Sequence, residues 1–352
     1  MHMSDALLSP AVGITMCAVS AAAVVYSVAK IKKDDLCEKK IPIMGVMGAF
    51  VFAAQMINFT IPGTGSSGHI GGGILLAAML GGFPSLLAIS AVLIIQCLFF
   101  ADGGLLALGA NIFNMGVIPC LVIYPLLFKP FVQKGMTAKR ITLASIAAVV
   151  VGLQLGAFGV VLQTQASGIT ELPFSAFLLA MQPIHLAIGV IEGIITAAVL
   201  CFVYKARPEI MESTLGGTAI KSGVPMTKVL SILVAATVLV GGVLAIFASQ
   251  NPDGLEWAIE KVAVVSAESE NDEAEALAEL EATGAVMDGA AAVQESTAFM
   301  PDYDFKDAGE DGSASGTTVA GIVGGAITFL LAGVVAVLIS VVKKKRKASA
   351  SA

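Results

Sequence analysis

Charge is what this chain has least of. Charged residues fill 13% of its 352 positions and hydrophobic ones 57%, about half the charged share of an ordinary soluble domain. That excludes a soluble globular enzyme and implies an all-α polytopic membrane protein in contact with the lipid bilayer. The bases lie in short clusters between apolar runs, so there is no continuous basic face, and nucleic acid is excluded as a partner. Cysteine is sparse too. Cys17, Cys37, Cys97, Cys120 and Cys201 form no CxxC pair, which excludes a disulfide framework and a cysteine metal site. No GxxxxGK[ST] phosphate loop is present, so the chain does not hydrolyse ATP itself. No HExxH is present either, so an intramembrane metalloenzyme has no support. Neither motif of an enzyme is therefore found.

Histidine is limited to His2, His69 and His185. One of these sits beside the amino terminus. An NH2-Met-His start can close adjacent chelate rings on one metal through the terminal amine, the deprotonated His2 amide and the His2 imidazole. Those donors lie in a plane with one corner open, and a second imidazole can fill it. Planar nitrogen donors suit Ni(II) and Cu(II) and can hold Co(II). His69, in the run SSGHIGGG, is the candidate for that corner. Each histidine taken alone is more often a hydrogen-bonded structural residue. The start MHMSDALLSP lacks the basic region of a cleavable signal peptide, so Met1 is expected to keep its amine.

Apolar runs place spans near 11–29, 41–61, 70–82, 84–100, 104–128, 141–163 and 174–204, then 228–248 and 317–342. The 70–82 run is short and glycine-rich, which suggests a partial helix. Basic clusters at Lys30 to Lys40, Lys129 to Arg140, Lys205 and Arg207, and KKKRK at 343–347 mark cytoplasmic ends. The N-terminus and His69 are then extracytoplasmic together, and the C-terminus cytoplasmic, in a cell membrane. A hydrophilic link with two glycines divides the chain into 1–222, a seven-segment helical bundle, and 223–352, a two-helix module. Residues 249–316 are its large extracytoplasmic loop, which holds 17 of the 26 acids. Its most acidic stretch, SAESENDEAEALAELEATGA, reads as an exposed arm.

Polar groups inside spans are costly, so they pair with one another or line a cavity. Gln55, Asn58, Gln96, Asn111, Asn114, Gln154, His185 and Glu192 are the candidates, and Ser67 flanks His69. Asn58, Ser67, Gln96, Asn111, His185 and Glu192 are placed to support metal ligands from behind, or simply to tie helices together. His185 lies roughly 16 Å into its span at helical rise. That is too deep for a metal held by the N-terminus, unless the N-terminal segment dips into the bundle.

MHMSDALLSP, SSGHIGGG, QCLFFADGGLLALGANIFNMG and HLAIGVIEGIIT together resemble the CbiM/NikM substrate-binding component of energy-coupling-factor cobalt and nickel transporters, over about residues 1–205. NPDGLEWAIEK at 251–261 resembles the small PDGLE-type N component, fused in the same chain. The resemblance implies a seven-helix binding protein whose N-terminal segment reaches into the bundle. It implies Ni(II) or Co(II) as the transported ligand, held in a square plane by the Met1 amine, the His2 amide and imidazole, and the His69 imidazole. It also implies partners: a membrane coupling (T) subunit and cytoplasmic ATPase subunits. Met3, Ser4 and Ala6 stand where the family usually has Ile, Pro and Gly, so the segment lacks the rigidity of proline. The alternative is a stand-alone ion-coupled divalent metal transporter, for which Glu192 is the one plausible coupling acid.

Overall fold

The computed structural model describes residues 1–31, 40–218, 220, 227–266, 285–306 and 314–350. After a single turn at Asp5–Leu7 come α1 (Pro10–Lys30) and α2 (Lys40–Gln55), then a hairpin of β1 (Phe59–Ile61) and β2 (Ser66–Gly68). The bundle continues with α3 (Gly73–Leu80), α4 (Gly82–Phe100), α5 (Leu108–Gln133), α6 (Ala138–Ser167), α7 (Phe174–Ala206) and the short α8 (Pro208–Gly216). The C-terminal part supplies α9 (Thr227–Gly242), α10 (Gly254–Ser266), α11 (Ala285–Thr297) and α12 (Ala314–Ala350).

The chain is an all-α polytopic membrane protein. Among the described residues, seven helical stretches are long and apolar enough to cross a membrane, five before residue 207 and two after 229. Their outer faces expose large apolar side chains such as Leu126, Leu179 and Phe247, as lipid contact requires. Local sequence explains the ends. Pro10 opens α1, where its missing N–H costs nothing. The Thr137 side chain caps α6 by accepting from the Arg140 N–H, and Gly168 closes that helix in the left-handed region at φ 61°. Small residues let helices approach closely. A Cβ on Gly109 would lie 2.2 Å from the Cys17 backbone nitrogen, so α1 rests directly on the start of α5.

Two expected spans are shorter than the apolar runs suggested. The helix expected near 41–61 stops at Gln55, because the backbone beyond it is taken up elsewhere. Phe59–Ile61 pairs with Ser66–Gly68, and the Asn58 carbonyl accepts from the Ser249 N–H at 2.7 Å. The 70–82 run yields only Gly73–Leu80, about 12 Å of helix, a partial helix as its glycines suggested. It starts late because Gly72 takes φ 77° against Val51.

The bundle has two chemically different ends. Lys30, Lys129, Gly81, Thr214 and Gly217 line one cavity at the far end of α1. Met1, His2, His69, Asp102 and Asp253 lie at the other end. Residues 285–306 of the 249–316 loop cap this end. The Gln294 amide donates to the carbonyls of Cys97 (2.9 Å) and Gly103 (2.7 Å), and the Tyr303 ring stacks on Phe100 at 5.1 Å. Cys37, most of the acidic arm, and residues 219 and 221–226 of the interdomain link lie outside the described residues.

Candidate metal centre

The first residues thread into the bundle instead of lying on it. Asn111 of α5 clamps Met3 from both sides of its peptide: its Oδ1 accepts from the Met3 N–H at 2.8 Å and its Nδ2 donates to the Met3 carbonyl at 3.1 Å. The same carbonyl accepts from the Gly104 N–H at 2.9 Å, and the Asp5 carboxylate accepts from the Ala107 N–H at 2.8 Å. Gly103 must be glycine here, since it sits at φ 76° and a Cβ would meet Asn111 Nδ2 at 2.7 Å. Met1 and Met3 are consequently buried.

Met1, His2 and His69 come together. The two imidazole rings lie 5.1 Å apart, centroid to centroid, tilted by 34°. The His69 Nδ1–H donates to the Ile70 carbonyl at 3.0 Å, which leaves Nε2 as the ring nitrogen with a lone pair. Burial, and after it the positive Met1 amine and His2, lower the His69 pKa from 6.5 to about 4. The loop that carries the ring is anchored behind it. Gln96 donates to Gln55 at 2.8 Å, Gln55 donates to the Gly71 carbonyl at 3.0 Å, and the Glu192 carboxylate accepts from the Gly72 N–H at 2.9 Å.

Two donors of the expected chelate, the Met1 amine and the His2 imidazole, already have acidic partners. The Met1 ammonium pairs with Asp253 Oδ2. The other oxygen of Asp253 caps α10, accepting from the N–H groups of Leu255 (2.7 Å) and Glu256 (3.0 Å), while Glu256 reaches back to the Asp253 N–H at 2.9 Å. The DGLE sequence is thus a capping box whose first residue also holds the amino terminus. Burial raises the Asp253 pKa, but the Met1 ammonium and its hydrogen bond outweigh burial and hold the carboxyl well below its usual range. His2 Nδ1 donates to Asp102 Oδ1 at 2.6 Å, and the Tyr303 hydroxyl donates to Asp102 Oδ2. Burial raises the Asp102 pKa too, and its contacts with His2 and Tyr303 bring the net shift downward. Nδ1 is the ring nitrogen that can close a chelate with the His2 amide, so closing it requires the ring to swing off Asp102. His2 Nε2 is buried with no partner among the described residues.

The supporting residues divide by role. Ser67 holds the PDGLE turn: its N–H donates to the Pro252 carbonyl at 2.8 Å and its hydroxyl to the Asn251 carbonyl at 2.7 Å. Asn58 lines the outer chamber of about 360 Å³ beside His2, His69, Asp102 and Tyr303. Gln96 and Glu192 brace the His69 loop, and Asn111 braces Met3. His185 lines an inner chamber of about 40 Å³ together with Met1, His69, Glu192 and Asp253. The N-terminal segment has dipped into the bundle, so His185 is nearer the amine than its depth along α7 suggested. Among the described residues no three His, Cys, Asp or Glu side chains form a metal cluster; the candidate centre depends on backbone nitrogens.

Asp102, Asp253 and Tyr303 were missed in the sequence. Their signal was an acid in each of two tight turns, ADGG and PDG, but nothing in a linear pattern shows that both turns meet the amino terminus.

The family model described as the cobalt uptake substrate-specific transmembrane region, CbiM, matches residues 2–210. This chain belongs to the CbiM family. A PDGLE domain matches residues 227–341, so this CbiM-family chain carries the small component fused behind it. The fused nickel transport protein NikMN of Rhodobacter capsulatus is 33% identical over 226 residues, covering 60% of this chain and 64% of that protein. The cobalt transport protein CbiM of Geobacter sulfurreducens is 32% identical over 222 residues, covering 60% of this chain and 61% of its own length. A crystal structure of a transition metal transporter superposes with a TM-score of 0.52 at 29% identity, over 59% of this chain and 95% of the other.

Proposed function

We propose that this chain is the substrate-specific membrane component of an ATP-driven energy-coupling-factor importer for nickel or cobalt. The observation that carries the reading is the meeting of the Met1 amine and the His2 and His69 rings at one end of the bundle, where His69 lines both the chamber of Met1 and the chamber of His2. The metal takes the Met1 amine, the His2 amide and Nδ1, and His69 Nε2. Binding displaces the Met1 amine from Asp253 and the His2 ring from Asp102. A low His69 pKa keeps its lone pair available at neutral pH. Family membership and the nickel and cobalt transport proteins among its relatives support the cargo.

In this reading residues 1–222 form the binding unit and 223–352 the N-component unit, whose 249–316 loop covers the site from the extracytoplasmic side. The membrane coupling subunit and the ATPase subunits are separate chains on the basic, cytoplasmic side. The test is metal analysis and spectroscopy of the purified chain. An N-terminal extension abolishes high-affinity nickel or cobalt binding and the planar absorption, while a C-terminal tag leaves both; equal metal content in the two proteins refutes the site. Uptake in cells with and without the ATPase subunits tests the coupling, and undiminished uptake without them favours a stand-alone transporter.

A further inference from the structure

His185 is the one buried histidine that the planar site does not use. Its Nδ1 lies 2.8 Å from the Met181 carbonyl one turn earlier in α7. A carbonyl only accepts, so Nδ1 carries the proton and Nε2 the lone pair. That Nε2 is buried and has no hydrogen-bond partner among the described residues. An unsatisfied buried acceptor is costly and rare, and calls for an occupant.

The space in front of it is built. His185 lines the inner chamber of about 40 Å³ with Met1, His69, Glu192, Asp253 and Gly254, a volume suited to about one water or one ion. Gly254 keeps that space open: a Cβ there would lie 3.3 Å from His185 Nε2 and 2.8 Å from Ile188. Asp253 lines both this chamber and the outer one. Its Oδ2 is tied to the Met1 ammonium and its Oδ1 accepts from the Leu255 and Glu256 N–H groups, so it borders the chamber as a carboxylate whether or not the planar site is filled.

We propose that His185 Nε2 is a second, weaker metal ligand, a transfer station that receives the divalent ion from the planar site on its way into the bundle, with the Asp253 carboxylate as its oxygen neighbour. The inference rests on the reading of Met1, His2 and His69 as the entry site. Imidazole suits nickel, and a neighbouring carboxylate balances part of the ion's charge. A station with so few protein donors binds weakly, which is what handing the ion onward requires. Glu192, two turns further along α7, lines the same chamber and stays committed to the Gly72 N–H.

The test uses the full purified chain, nickel alone as probe, equilibrium dialysis with metal analysis, and the planar absorption band. The wild-type chain shows the band. The double variant His2→Ala/His69→Ala loses it and still binds about one nickel per chain, weaker by about a hundredfold or more. Adding His185→Ala removes that residual metal, and His185→Gln, which keeps a polar side chain in the fold, does the same. In cells with the partner subunits, His185→Gln alone keeps the band and lowers uptake about tenfold. Residual nickel that survives His185→Ala and His185→Gln, or a double variant that binds none, overturns the station. Loss of the band in His185→Gln alone overturns it differently, by making His185 part of the entry site. Absence of the band in the wild-type chain refutes the entry site itself, and the station with it.

Discussion

Asp253 and Met1 stand 252 positions apart and meet as carboxylate and ammonium at the end of the bundle. The side chains of both residues are largely buried, so the pair joins the C-terminal unit to the first residue of the chain where little water screens it. Breaking a buried pair by removing one partner costs about 3 kcal/mol or more, because the other charge is left uncompensated.

Asp253→Asn is therefore expected to destabilise the metal-free protein by about 3 kcal/mol. At saturating nickel the loss shrinks, because the metal has taken the amine and the carboxylate no longer balances an ammonium. Thermal unfolding in detergent, with and without nickel, measures both. Equal losses in the two states would show that Asp253 and the metal do not compete for the amine.

The His2 ring must leave Asp102 before its Nδ1 can close a chelate. Asp102→Ala should speed nickel loading of the metal-free protein by about threefold, which corresponds to about 0.65 kcal/mol off the barrier. Tyr303→Phe, which removes the hydroxyl that fixes Asp102 Oδ2, should move the rate the same way by less. Stopped-flow absorption reads both. Slower loading in Asp102→Ala would assign Asp102 the opposite role, guiding His2 toward the metal.

His69→Ala removes the fourth corner and leaves the three-nitrogen chelate. Nickel affinity is expected to fall at least tenfold, about 1.4 kcal/mol, with loss of the planar spectrum. Calorimetric titration of the purified variant gives the affinity, and an unchanged spectrum would exclude His69 as a ligand.

The lowered pKa of His69 sets a pH window. Unfolded, the ring titrates near 6.5; folded, burial first and then the Met1 amine and His2 bring it to about 4. Between these values the unfolded chain binds the proton and the folded chain does not. Stability from this group is full above about pH 6.5 and falls as pH drops toward 4. Asp253, whose pKa is also lowered, adds its own loss only as pH falls to and below the ordinary carboxylate value of 3.8, at the acid edge of this window. Melting temperatures of the metal-free protein across pH 4 to 6.5 should decline less steeply in His69→Gln; parallel curves would contradict the cause assigned to the shift.

The orientation can be read chemically. A cysteine at Ser296, exposed on α11, should react with a membrane-impermeant reagent added outside intact cells, and one at Lys134, exposed at the far end of α5, should not. The reverse pattern would put the candidate site on the cytoplasmic face.

Composition and apolar runs were enough to give the class of the protein, and the first residues were enough to suggest the donor atoms proposed for its centre. Apolar runs must be helices where no water can satisfy the backbone, and an amino-terminal Met-His is a chelate by covalent connectivity alone. His69 was legible because histidine is so scarce and because charge placed it on the side of Met1. Tertiary structure alone decided what faces those donors. Asp102 and Asp253 sit in turns that look like ordinary turns, and neither their approach to His2 and Met1 nor the Tyr303 contact leaves a periodic trace. How near His185 lies to the amine was left open by the sequence for the same reason. Distance along α7 is set by helical rise, but distance to the amine depends on Asn111 and Gly104 drawing Met3 into the bundle, a contact between segments a hundred residues apart. Such pairings come from packing in three dimensions, which one-dimensional spacing does not encode.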